Sequence, residues 1–573
     1  MRRISLAVVV AALGALGTAP AASADVGPLV PATTPPSPFD PGCQGVDQNG
    51  RKYHNTEPEP WIDVDPTSVG SPDGVDLIGT QQQDRFETGG ANGLGTSISG
   101  DGGNNWTQLG VGPLPKFDLC MGATPGGPDD YERASDPWVS NEPIANHAWQ
   151  ISISFNDTRD LANAVTVSHT TNDGATWGPV IALKRDGDPN VFNDKESITA
   201  DYTAPGHVYA VWDRLIFPKE KSGGQSFEHA AAFRGPIWFS KTENDSSWTT
   251  ARPLFDPGQN DQTIGNQIVV MPDGDLINAF TQFSNDNRVG LQGGFIRMMR
   301  SEDAGDSWSA PITVSRLGAI GVTVPDSTFD NDKKNNPEAV RTSDFNAEVA
   351  SDERPNTDTV YAVWQDARFN GFQRDQIAFS KSTDGGESWS TPVRINGDPS
   401  TQAFTPAIKV DDQGNIGVTY YDFRNDDPDT YAVETDLWFL RSADGGQTWS
   451  EERVTPDSFD MRAAPFAGGY FLGDYQGLTA YNDRFVAYST LTNPGFGDSR
   501  AVPEDALDPS NRTDVYAATM APPFPTSAAA TFSASRKHAR AAASAFPRRK
   551  AKPRLKSRKL PARYAHPHKG GKR

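Results

Sequence analysis

Between residues 57 and 520 the chain alternates apolar and polar positions in short runs, and the runs return in one order. Ser197-Ile198-Thr199-Ala200-Asp201 is followed by Val208-Tyr209-Ala210-Val211-Trp212, and Ala407-Ile408-Lys409-Val410-Asp411 by Ile416-Gly417-Val418-Thr419-Tyr420. A period of two bounded by turn residues predicts half-buried strands. Strand-opening signals of the same kind stand at Trp61-Ile62-Asp63-Val64, Trp138-Val139-Ser140, Gln267-Ile268-Val269, Glu348-Val349-Ala350 and Gly477-Leu478-Thr479. The count is seven units, with six as the alternative.

A tight motif, S/T-x-D/N-x-G-x-x-W, occurs from Ser99 to Trp106, Thr170 to Trp177, Ser301 to Trp308, Ser382 to Trp389 and Ser442 to Trp449. A degenerate copy, Ser240 to Trp248, reads with one extra residue and with Asp245 in place of glycine. Each copy lies between two strand signals, where a hairpin turn belongs: the acid accepts turn amides, glycine supplies positive φ and the indole packs inward. The six tryptophans are 71, 71, 60, 81 and 60 residues apart, so long loops extend a four-stranded repeat. Strand, strand, strand, box, strand predicts an all-β propeller. The last unit, with Arg484-Phe485-Val486-Ala487-Tyr488 and Thr513-Asp514-Val515-Tyr516, has no box, as expected where ring closure borrows a strand from elsewhere.

The ends differ from this body. Met1-Arg2-Arg3, the apolar run Ile4 to Leu16 and Ala22-Ser23-Ala24 form the pattern of a cleavable signal peptide over residues 1–24, implying a secreted protein with no transmembrane segment after cleavage. An N-terminal arm (25–56) and a tail (521–573) are expected to be disordered. From Arg536 to Arg573 there are 15 Lys and Arg and no acid, so the net charge of −21 conceals 37 basic against 73 acidic residues on the rest. The tail suits an anionic surface polymer or nucleic acid, a plain solvated tail being the alternative. Cys43 and Cys120, the only cysteines, are expected to pair in an oxidising compartment and tie the arm to the first unit, two free thiols being the alternative.

The box motif is that of the Asp-box, or BNR, repeat, and from about Glu57 to Met520 the sequence resembles the sialidase (neuraminidase) superfamily. The resemblance implies a sialidase-like propeller with its active site on the face opposite the boxes, at the loops between second and third strands. Those loops carry a second repeat: Asp84-Arg85, Asp157-Thr158-Arg159, Asp213-Arg214, Asp286-Asn287-Arg288, Asp366-Ala367-Arg368, Asp422-Phe423-Arg424 and, as a further copy, Asp498-Ser499-Arg500. Gathered at one channel mouth, their guanidinium forks would suit a carboxylate-bearing sugar, whereas paired each to its own Asp they would stiffen the loops. By resemblance, Tyr475 in Asp474-Tyr475-Gln476-Gly477 is the nucleophile, Glu196 its base partner and Asp375 the acid. Arg214, Arg368 and Arg424 are then carboxylate clamps, with Arg159 and Arg288 beside them. The family's opening Phe-Arg-Ile-Pro has no match; the first unit reads Glu59-Pro60-Trp61-Ile62.

Other chemistries leave weaker traces. The acid-rich loops Asp186-Gly187-Asp188-Pro189-Asn190 with Asn193-Asp194, Asp330-Asn331-Asp332 and Asp426-Asp427-Pro428-Asp429 offer oxygen ligands for Ca²⁺, without EF-hand spacing; solvated turns are the preferred reading of each, with a Ca²⁺ site as the alternative. The eight histidines are scattered and no H-E-x-x-H, C-x-x-C pair, G-x-S-x-G elbow or P-loop occurs, so no metal site and no organic cofactor is assigned. The sequence therefore predicts a secreted exo-acting glycoside hydrolase on acidic terminal sugars. The alternatives are a non-catalytic glycan- or protein-binding propeller held at the cell surface, or a polysaccharide lyase.

Overall fold

The computed structural model describes residues 25–72, 74–217, 234–285, 292–325, 338–430, 432–493 and 512–522. The signal peptide, the basic tail, Arg288, Asp330-Asn331-Asp332 and Asp498-Ser499-Arg500 lie outside them. Apart from the 3-10 turns Arg368–Asn370 and Met461–Ala463, the regular structure of the described residues is β-strand.

Each strand-opening signal begins an antiparallel unit. Unit one is Trp61–Val64, Leu77–Arg85, Ala91–Ser99 and Thr107–Gln108; unit two is Arg133–Asn141, Ala148–Phe155, Asn163–Thr170 and Ile181–Asp186. Unit three is Val191–Ala200, Val208–Ile216, Ile237–Thr242 and Arg252–Phe255; unit four is Gln262–Val270, Leu276–Ser284, Gly293–Ser301 and Ile312–Arg316. Unit five is Ala347–Ser351, Val360–Asp366, Gln376–Ser382 and Val393–Arg394; unit six is Ala403–Val410, Ile416–Asp422, Glu434–Ser442 and Ser450–Arg453. The last unit, Gly477–Tyr481, Arg484–Asn493 and Arg512–Ala521, takes its outer strand from the arm: Asp25–Val26 and Val30–Pro31 both pair with Arg512–Ala521. The first strands contact one another in succession, and that of the last unit contacts that of the first. Sheets so arranged stand radially around one axis, which is a β-propeller.

The arm is thus ordered, against the expectation of disorder over residues 25–56. Backbone pairing fixes its short polar sequence, Ala32, Phe39 and Tyr53 are buried, and Cys43 is bonded to Cys120 with Cα atoms 4.9 Å apart.

The boxes clamp each unit onto the one before it. In the box opening at Ser382, Asp384 Oδ1 accepts from Ser382 Oγ (2.6 Å) and from the Ser388 N–H (2.9 Å), Ser382 Oγ accepts from the Gly386 N–H (2.8 Å), and Trp389 Nε1 donates to the Gly386 carbonyl (3.1 Å). The box glycine must be glycine: Gly446 has φ +82, and a Cβ there would lie 2.5 Å from the Phe379 ring of the preceding unit. The degenerate copy differs from its sequence reading. It begins at Thr242, not Ser240, because Asn244 Oδ1 accepts the Ser247 N–H at 2.9 Å. It is therefore one residue short; Ser246 stands at the glycine, and Asp245 (φ 56) takes the left-handed position that Gly102, Gly385 and Gly445 hold elsewhere.

Candidate active site

The site at the axis is built by a backbone irregularity repeated from unit to unit. Pairing between first and second strands slips after Ser135, Asp194, Ile264 and Phe404, and the residues that follow, Asp136, Lys195, Gly265 and Thr405, have φ of 52, 50, 71 and 47. Glu59, ahead of the first strand of unit one, has φ 57. A bulge leaves residues out of the ladder and re-aims their side chains. Here it brings side chains from distant parts of the chain together.

Lys195 Nζ reaches Asp474 (2.6 Å), Asp136 (2.8 Å) and Glu59 (3.4 Å). Asp474 is also held by Arg341 through Nε (3.0 Å) and an η nitrogen (2.7 Å), a bidentate pair. Arg341 and Arg85 lie over the Phe471 ring at 4.6 and 5.0 Å. Gln82 donates to Glu59 and to Ser135 Oγ, the latter at 2.9 Å. Burial pulls the Lys195 ammonium down, but Asp136, Asp474 and Glu59 outweigh it and hold it charged. Burial pushes Asp474 up, and Arg341 with Lys195 more than reverse this, keeping it well below the usual carboxylate range. Burial and then Asp136 push Glu59 up to about 8, so at neutral pH this third acid keeps its proton.

Beside this cluster is a cavity lined by Tyr475, Glu196, Glu348, Lys195, Trp138 and the Gly265-Asn266-Gln267 bulge, with about 20 Å³ of room for water. That volume holds about one water molecule. Tyr475 packs edge-on against Trp61 and Trp138, which stack on each other at 3.5 Å, and its hydroxyl donates to the Pro137 carbonyl at 3.2 Å. Burial, followed by the surrounding acids Glu59, Asp136, Glu196 and Asp474, pushes the phenol well up. Glu196 is buried with neither carboxyl oxygen hydrogen-bonded, and burial together with Asp136 pushes it far up. Burial alone lifts Glu348 to about 8.

Two of the residues singled out in the sequence, Tyr475 and Glu196, therefore share one cavity. Asp375 does not line it: its carboxylate accepts the Ile320 (3.0 Å) and Gly321 (2.9 Å) N–H groups and anchors that loop. The arginines bond away from the cavity. Arg214 pairs with Asp186 (2.5 Å) and lies over Trp238; Arg368 pairs with Asp366 (2.5 Å); Arg424 pairs with Asp422 and Glu451 (both 2.7 Å) over Trp438; Arg159 pairs with Asp130 (2.6 Å) and Glu132 (3.1 Å). Each finds its carboxylate in its own or the adjacent unit, so a convergent clamp does not form from them. The acid-rich loops also use their carboxylates internally: Asp188 accepts the Asn190 N–H (2.9 Å) and Asp427 the Asp429 N–H (3.0 Å).

The sequence reading missed Glu59, Asp136, Lys195, Arg341, Glu348 and Asp474. One signal was present: Glu59-Pro60-Trp61 and Asp136-Pro137-Trp138 repeat an acid-Pro-Trp triplet where a strand should run straight.

No family model and no protein of curated function matches the chain. Solved structures are similar at low identity. They include Hadza microbial sialidase Hz136, with 14% identity over 78% of this chain and 74% of that one and a TM-score of 0.42. An α-L-arabinanase of Penicillium chrysogenum has 11% identity over 86% and 98%, with a TM-score of 0.40. The NanB sialidase of Streptococcus pneumoniae has 10% identity over 83% and 95%, with a TM-score of 0.38.

Proposed function

We propose that this protein is an exported glycoside hydrolase that cleaves a terminal sugar at the axial cavity, which has to widen beyond its one-water volume to admit the ring, with Tyr475 as nucleophile and Glu196 as its proton acceptor. One observation carries the reading: Glu196 is a buried carboxyl with no hydrogen-bond partner, facing the same cavity as a tyrosine. A buried unpaired polar group is costly to the fold and is a mark of a reacting site. In the first step Tyr475 Oη forms a bond to the anomeric carbon as its proton passes to Glu196, and the glycosidic oxygen leaves with a proton from a neighbouring acid. Glu348 takes the acid's place in this scheme in preference to Asp375, because it lines the cavity and, raised to about 8, holds a proton at neutral pH. The paired state of Arg214, Arg368 and Arg424 leaves the sugar's charge as the finer question; an acidic sugar has to displace their carboxylate partners. The Cys43–Cys120 bond and the signal-like N-terminus support export.

The test is turnover of fluorogenic sialosides, arabinofuranosides and neutral pyranosides by the wild type, Tyr475→Phe and Glu348→Gln. Both variants should lose activity by about 100-fold or more, the scale on which positioned nucleophiles and acids act. Wild-type rate should fall as pH rises and Glu348 loses its proton near about 8. Equal rates in wild type and Tyr475→Phe would overturn the assignment.

A non-catalytic glycan-binding role has its own observation. A cleft of about 420 Å³ between the disulfide loop and the second box is lined by Trp177, Lys116, Thr124 and Asp129, roomy enough for a sugar where the axial cavity is not. If glycan binding without turnover is lost in Trp177→Ala and retained in Tyr475→Phe, this second reading replaces the first.

A further inference from the structure

The degenerate box does more than break the repeat. Asp245, in the left-handed position that Gly102, Gly385 and Gly445 hold in three other boxes, extends its carboxylate from unit three to the turn of unit two. There it meets His147, whose Nδ1 lies 2.8 Å from Asp245 Oδ2, and His169, whose Nε2 lies 3.1 Å from Asp245 Oδ1 and 3.7 Å from Glu142 Oε1. One ligand atom from each of the four residues falls within 4.8 Å of the other three. His169 Nε2 is buried and makes no hydrogen bond.

The surroundings hold these groups in place. The Trp149 indole N–H donates to Glu142 Oε1 (2.8 Å) and to Asp245 Oδ1 (3.0 Å), so two carboxylates converge on one donor, and the Gly206 N–H binds Glu142 Oε2 at 3.1 Å. The Trp149 ring stacks on His169 at 4.6 Å. Outer hydrogen bonds of this kind orient ligands around a metal. Two carboxylates and two imidazoles facing one point need a cation or a shared proton between them, and four N and O donors at this spacing match a tetrahedral ion with bonds near about 2.0–2.2 Å after small side-chain movements. The box itself is weakened at this seam: Ser246 replaces the box glycine, and Trp248 Nε1, like Trp177 and Trp449, makes no hydrogen bond, whereas Trp106, Trp308 and Trp389 donate to their box carbonyls at 3.1 Å.

We propose that Glu142, His147, His169 and Asp245 bind one divalent first-row transition metal of the Zn²⁺ type, as a structural pin between units two and three. The ion adds at this seam a link between the two units beyond the hydrogen bonds of the box.

The test uses the full chain, stripped with a chelator and titrated with Co²⁺, then competed with Zn²⁺. The wild type should take up one Co²⁺ with the intense visible absorption of a four-coordinate centre, lose it to one Zn²⁺, and melt at higher temperature with the metal than without. Asp245→Gly restores the residue type that Gly102 and Gly385 carry at this φ, so it should fold, yet bind Co²⁺ at least about 100-fold more weakly, beyond the loss expected from removing an outer-shell partner. His169→Gln checks the result without touching the box backbone. His538, His566 and His568 remain in both variants, so binding at the tail would survive unchanged. Equal uptake by wild type and both variants, or no four-coordinate spectrum in the wild type at millimolar Co²⁺, would overturn the proposal; the second outcome would mean that the carboxylates share a proton.

Discussion

The rim and the axis of this propeller both rest on residues held at positive φ, and they use that conformation in opposite ways. At the rim, Ser301-Asp303-Gly305-Trp308 and Ser382-Asp384-Gly386-Trp389 repeat one set of hydrogen bonds with one set of side chains. At the axis the bulges share a backbone but present Glu59, Asp136, Lys195, Gly265 and Thr405 in turn. Rim side chains serve their own turn, so each regular box needs the same ones. Axial side chains serve one another across the ring, so each unit supplies a different part.

Lys195→Met should have the largest effect on this contrast. It leaves Asp474 with Arg341 alone and Asp136 without its ammonium partner, both buried. Removing one partner from a buried charged network costs about 3–5 kcal/mol, and urea denaturation should show a loss of that order. A loss under about 1 kcal/mol would place Lys195 among surface-like pairs and erase the distinction between axis and rim.

The pH dependence of stability sharpens the comparison. Glu59 and Glu348 are raised to about 8 and Asp194 to about 7, all first by burial. An acid whose folded value exceeds its unfolded one binds its proton more tightly when folded. Its contribution is therefore complete below about 4.5 and is lost as pH rises towards about 8. The melting temperature should fall between pH 5 and 8.5, and Glu348→Gln, which has no proton to lose, should flatten part of that slope. The rim acids run the other way: hydrogen bonds from Ser307 lower Asp303 to about 2, and those from Ser382 and Ser388 lower Asp384 to about 2. Their stabilisation fades only as pH falls from about 4 through about 2, so a profile flat from pH 5 to 8.5 would show that the rim, not the axis, sets the response.

The same contrast explains what could be read from the sequence. The boxes were legible because acceptor, glycine and indole lie within eight residues, and alternation exposed the strands. Tyr475 and Glu196 were found through short segments resembling a family's motifs. The rest of the axial cluster was not legible, because Glu59, Asp136, Lys195 and Asp474 acquire their roles from contacts made between units; Lys195 and Asp474 are 279 positions apart. The Asp-Arg loops were visible as pairs, yet sequence does not reveal whether an arginine turns to a shared channel or to Asp366 two residues before Arg368. The arm was misjudged because its order comes from pairing with Arg512–Ala521, not from its own composition. The His147–Asp245 contact escaped for the same reason, spanning 98 positions and two units.

The smallest effect is expected at the rim itself, from Asp384→Ala. Asp384 accepts from Ser382 Oγ, Ser388 Oγ and the Ser388 N–H, but its own side chain is exposed to solvent, so water can replace most of what the substitution removes. Side-chain acceptors that cap exposed backbone donors are worth about 0.5–2 kcal/mol, and the loss should fall near the lower end of that range because the Gly386 N–H keeps Ser382 Oγ as its acceptor. The matching change in the box of the next unit, Asp444→Ala, should add to it nearly independently, since each box closes its own turn. Loss from the double variant well above the sum of the two would mean that the boxes act together around the ring, as the axial residues do.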